Sequence, residues 1–176
     1  MKQNNSADPG SSFSLTAEQA QLYQNIKKYK IDDATASYSF TERLAKENGW
    51  TILFAIRAVE EYKKFMFLIC LADHPLTPSD QVDQVWHLHL LYTRSYWEEF
   101  CGEILARKVH HGPTKGGEQE AAKFNDWYQK TKTLYEQVFQ QVPPMDIWPQ
   151  PANRFKRTHF QRVSLDEYWI IKKIKF

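Results

Sequence analysis

The chain has 176 residues and 23 Lys+Arg against 21 Asp+Glu, a length that suits one domain and a charge of +2 that by itself excludes little. With 42% hydrophobic and 25% charged residues it lies in the globular range, and no membrane span is expected, because its longest uncharged apolar run, residues 65–72, is far shorter than the roughly 20 residues a bilayer needs. Residues 1–12 are polar, with no apolar stretch behind Lys2, and read as a disordered arm rather than a secretory signal. Cys70 and Cys101 form no C-x-x-C pattern and are expected as reduced thiols, which suits a cytoplasmic location. What departs from an average composition is the aromatic content of 11 Phe, 9 Tyr and 6 Trp.

The spacing predicts helices with clear starts. Thr16-Ala17-Glu18-Gln19 fits a capping box before a helix near 17–30, with Leu22, Tyr23, Ile26 and Tyr29 at helical spacing. Ser39-Phe40-Thr41-Glu42 is a second box, opening a short helix that Asn48-Gly49 can close through a left-handed cap. A third helix is expected from Thr51 to about Ala72, its first half turning Arg57, Glu60, Glu61, Lys63 and Lys64 to water and its second half apolar on every side. Thr77-Pro78-Ser79-Asp80 then reads as an N-cap with proline in the first helical position, starting a fourth helix that reaches toward Lys108.

Gly112-Pro113 and Gly116-Gly117 break the chain in what reads as a connecting turn, and helix resumes over 118–141 with Phe124, Trp127, Tyr128, Thr131, Leu134, Tyr135 and Val138 on one stripe. Pro143-Pro144 stops it, and 143–151, rich in proline around Trp148, is expected as an extended segment packed on the helices or exposed for a partner. Residues 151–176 carry a net +5, leaving −3 for residues 1–150. Residues 164–171 suit a capped helix or a strand equally.

Chemistry, if present, lies with the histidines, five of which fall between 74 and 111. On a helix, Val82, Val85, Trp86 and His89 share an inward stripe, whereas Asp83 and His87 sit one turn apart on another strip, where the carboxylate can orient the imidazole. His87 and His89 therefore point about 160° apart and cannot chelate one ion together. Buried, satisfied imidazoles and exposed carboxylate–histidine pairs are both common without any function. If residues 78–108 form one straight helix, His89 and His110 lie about 32 Å apart. A break at 92–95, with Thr93 or Ser95 capping a new helix and Glu98 completing the box Ser95-Tyr96-Trp97-Glu98, would instead fold the chain back and let His87 or His89 approach His110 or His111, with His74 joining from its loop.

The run Val82-Asp83-Gln84-Val85-Trp86-His87-Leu88-His89, followed by Tyr96, Phe100-Cys101, His110-His111-Gly112-Pro113 and Asp146-Ile147-Trp148-Pro149, resembles the glycine-rich domain-containing protein-like family over about residues 50–149. The resemblance implies a helical domain and carries no assigned reaction.

These readings combine into an all-α single domain of five or six helices over 13–149, with an extended Pro-rich segment and a basic aromatic C-terminal segment over 150–176. The candidate pocket is His87, His89, His110, His111 and Asp83, supported by Trp86, His74, Tyr96 and Cys101; neutral imidazoles with a carboxylate suit a divalent metal, zinc or iron. The foremost functional expectation is a protein-interaction or scaffold module, engaging a protein partner through Trp148, Arg154, Lys156 and Arg157. A metal-dependent hydrolase using an activated water is the alternative. A third reading is nucleic-acid binding through the basic aromatic tail that begins at Arg154.

Overall fold

The computed structural model describes residues 13–112, 118–154, 163–164 and 166–171. The arm at 1–12, most of the turn after Gly112, and the tail residues Lys156 and Arg157 lie outside these. Among the described residues there are six α-helices, one π-helix and no strand: α1 (Ala17–Lys28), α2 (Phe40–Asn48), α3 (Ile52–Leu71), α4 (Asp80–Leu91), the π-helix (Ser95–Ile104), α5 (Glu118–Phe139) and α6 (Pro151–Arg154). The all-α expectation is met.

Local chemistry explains the starts. Thr16 Oγ1 accepts from Gln19 N at 3.2 Å while Gln19 Oε1 accepts from Thr16 N at 3.0 Å, and Ser39 and Glu42 exchange the same pair of bonds at the head of α2. Each box satisfies two amides that no helical carbonyl can reach. Gly49 closes α2 at φ +65°, a conformation that a side chain disfavours. At α4 the expected cap moves by two residues: Ser79 Oγ, not Thr77, accepts from Val82 N, and Thr77 N instead bonds Thr131 Oγ1 on α5. Pro78 thus precedes the helix, and its carbonyl accepts from Arg154 Nε.

The long α3 is the central element, packed against α1, α2, α4 and α5. Tyr62, Phe65, Met66, Phe67 and Leu68 are buried along it, each such side chain contributing roughly 1.5–3 kcal/mol of apolar transfer free energy. Two of its charged residues depart from the expected outward placement, since Glu61 and Lys63 are buried. Glu61 is covered by the proline-rich segment and α5: its carboxylate accepts from Trp148 Nε1 at 2.9 Å, Lys64 Nζ at 2.8 Å and Tyr135 OH at 3.2 Å. Lys63 Nζ is held by Glu60 and by the Lys27 carbonyl at the end of α1. Paired and hydrogen-bonded charges of this kind tolerate burial; lone ones do not.

Residues 143–151 are accordingly not simply extended. A turn returns Ile147 N and Trp148 N to the Pro144 carbonyl and drives Ile147 and Trp148 into the core, fully buried. Trp148, expected as a docking residue, is therefore unavailable to a partner. Residues 166–171 follow a turn bonded to the Ser164 carbonyl and adopt neither helix nor strand, leaving Tyr168, Trp169, Ile170 and Ile171 exposed.

Candidate functional site

The decisive local event is the end of α4. Tyr92, at φ −88° and ψ 64°, leaves the helical region, so the straight helix toward Lys108 does not form. The chain re-enters helix and widens into a π-helix whose exit is marked by Leu105 N bonding Phe100 O and Arg107 N bonding Cys101 O. The expected box at Ser95 is also absent, because the residue before the π-helix is already helical and no side chain caps it. Ser95 is used differently. Its Oγ lies 2.6 Å from Tyr29 OH and 3.1 Å from His89 Nε2.

His89 is thereby a core residue. Its Nδ1 lies 2.8 Å from Tyr62 OH, its ring is fully buried, and Tyr29, Phe40, Tyr62, Tyr96 and Phe100 surround it with ring centroids 5.1–6.1 Å away. Burial without a charged partner pushes its pKa down to about 3, so the imidazole is neutral. One ring nitrogen then donates and the other accepts, and two hydroxyls, which can each do either, satisfy both.

His87 lies on the opposite side of α4 and joins a different set. Trp86 Nε1 donates to Tyr96 OH at 2.9 Å, and Tyr96 OH donates in turn to the Val109 carbonyl, fixing the segment that leaves the π-helix beside α4. Two residues later His111 Nε2 lies 2.7 Å from Asp83 Oδ1, and its ring centroid is 4.6 Å from that of His87 and 4.4 Å from that of Trp86. His87 Nε2 is 3.9 Å from Asp83 Oδ2. One donor atom from each of Asp83, His87 and His111 falls within a 4.8 Å group.

Of the five pocket residues inferred from sequence, the fold brings these three together and leaves two out. His89 is excluded by the helical rotation that separates it from His87. His110 points elsewhere, because neighbours on an extended segment alternate sides; its ring rests on Trp97, at 5.3 Å. His74 Nδ1 lies 3.2 Å from the Pro75 carbonyl, and Cys101 is buried in the core; neither belongs to the group. Tyr62 and Ser95 as partners of His89 were not legible in advance, since both contacts depend on how α3 and the π-helix pack.

Ligand atoms around tetrahedral zinc sit near 2.0–2.1 Å from the metal, hence about 3.3 Å from one another. Asp83 and His111, hydrogen-bonded at 2.7 Å, would have to part by about half an ångström to reach that spacing. His87, whose side chain is 49% exposed, is free to swing the remaining ångström or so. Without an ion the Asp83–His111 contact is an ordinary charge-assisted or neutral hydrogen bond, so metal entry would displace the proton shared there.

The architecture defines a helical domain with an aromatic core and a histidine–aspartate group on its flank. A family model described as UCP032817-like matches residues 26–136, well over half of the sequence, and the chain belongs to that family. It is also similar to glycine-rich domain-containing protein 1 of Arabidopsis thaliana, 24% identical over 129 residues that make up 70% of this chain and 16% of that protein. The chain thus spans about a sixth of the length of this relative. No solved structure matches it. The family resemblance carried by the Trp-His-x-His run is upheld, and the matched region includes every member of the histidine–aspartate group.

Proposed function

We propose that the domain is an interaction or scaffold module that binds one divalent metal ion, zinc or ferrous iron, through Asp83, His87 and His111. The observation that supports it is the convergence of three donor atoms from α4 and from a segment 24–28 residues away within 4.8 Å, on the rim rather than in the core. Two imidazoles and a carboxylate form an N/O set suited to these metals. An ion there would tie the exit of the π-helix to α4 and stiffen that flank for a protein partner. Two free thiols and the absence, among the described residues, of any helix long and apolar enough to cross a membrane accord with a reducing, cytoplasmic setting.

Titration calorimetry with zinc on chelator-treated protein bearing no His-tag tests this. Saturable binding near one ion per chain, lost in Asp83→Asn and in His111→Gln, is the expected result; binding that survives both substitutions refutes it. A second reading draws on the ligand count. Three protein donors leave a coordination position open, the arrangement in which a bound water becomes a nucleophile near neutral pH. Zinc-dependent hydrolysis of an activated ester such as p-nitrophenyl acetate, abolished in His111→Gln, would favour that reading over the scaffold.

A further inference from the structure

A cavity of about 420 Å³ adjoins the histidine–aspartate group and shares Trp86 with it. We propose that this cavity is a second binding site, independent of the metal, for a small molecule carrying one oxyanion, a carboxylate or a phosphate, on an apolar body. Its volume lies at the small end of the range of ligand pockets. Trp86, Leu76 and Val109 supply an apolar wall, while Arg107, His74 and His110 line the polar side against a single acid, Asp73.

The placement of Arg107 argues most strongly for a ligand. The chain leaves the π-helix through Ala106 at φ +48°, a left-handed conformation that is unfavourable for a residue with a side chain. That turn, held by Arg107 N bonding the Cys101 carbonyl, delivers the guanidinium to the cavity wall, where Nη1 donates to the Ile69 carbonyl at 3.1 Å. That bond uses one nitrogen of the exposed guanidinium and leaves Nε and Nη2, a planar fork whose geometry matches a carboxylate or phosphate. Backbone strain and π-helical turns both concentrate at functional sites, and here the π-helix ends at Ile104 and the strained Ala106 immediately precedes Arg107. The alternation of the segment after the π-helix completes the division: His110 faces this cavity and His111 faces Asp83.

The test is titration calorimetry in chelator with phenyl phosphate and benzoate, which distinguish the two oxyanions, and benzyl alcohol as the neutral counterpart. At least one anion should bind saturably and the alcohol at least about tenfold more weakly, with Arg107→Gln weakening the anion about tenfold or more. His110→Gln serves as the second variant, and thermal melting checks that both fold. Arg57→Ala, outside the cavity and the histidine–aspartate group, should leave the affinity within about twofold. The proposal is overturned if neither anion saturates by about 10 mM, if the alcohol binds equally well, or if both cavity variants bind as the parent does. An equal loss in Arg57→Ala would show that the loss is not specific to the cavity and overturn it as well. Because chelator is present throughout, failure of the metal reading leaves this result untouched.

Discussion

His87 and His89 are two residues apart on one helix and live in opposite physical worlds. His89 is sealed in an aromatic shell with both ring nitrogens satisfied by hydroxyls, and burial holds it neutral. His87 stands half in water beside a carboxylate and a second imidazole, with no such constraint on its rotamer. The same side chain is thus a structural pin on one face and a candidate ligand on the other. The lesson is that a Trp-His-x-His run is two sites, and helical rotation decides which histidine is available to chemistry.

The sharpest break of that comparison is substitution. His89→Ala should cost about 3 kcal/mol or more in urea unfolding, because it opens a core cavity and leaves the Tyr62 and Ser95 hydroxyls without their shared partner. A cost under about 1 kcal/mol would show that His89 is no pin.

Metal should separate the two regions almost as strongly. Zinc at a free concentration a hundred times its Kd should stabilise the parent protein by about 2.7 kcal/mol in chemical denaturation, should do the same for His89→Gln, and should do nothing for His111→Gln.

Acid distinguishes them by sign. The folded state holds the pKa of His89 near 3, below its ordinary 6.5, so the unfolded chain binds the extra proton between these values. Its contribution is fully present above pH 6.5 and is lost as pH falls toward 3. Stability should therefore drop by roughly 2 kcal/mol between pH 7.5 and pH 5, and His89→Gln should remove that slope. A slope unchanged in His89→Gln would assign the acid sensitivity to other groups.

The smallest effects belong at the surface. His87→Ala should change stability in the absence of metal by less than about 0.5 kcal/mol. Arg57→Ala, which removes an exposed bidentate pair with Asp146, should cost under about 1 kcal/mol despite contacts of 2.7 and 2.8 Å. A larger loss at His87 would mean that the group is structural even without an ion.

Much of the fold was legible because its signals are local. Both capping boxes, the Gly49 closure and the buried stripe of α4 follow from residues within a turn of one another. Glu61 and Trp148 were misplaced for the converse reason: their polar atoms meet each other across 87 residues, and Tyr135 of α5 completes the cover over Glu61. Of the candidate site, the Asp83–His87 pair and the opposition of His87 to His89 could be read from helical periodicity, whereas the choice of His111 over His110 could not.

Local pattern was enough for the starts of α1 and α2, the Gly49 closure and the inward stripe of α4, since those depend on hydrogen bonds and spacings a few residues long. The turn at Tyr92, the bond by which Tyr96 holds the Val109 carbonyl beside α4, and hence the meeting of His111 with Asp83 came from packing between distant helices. Those contacts bridge 13 and 28 residues, and their register is set by how whole helices pack around the aromatic core, a property that no single stretch of chain contains.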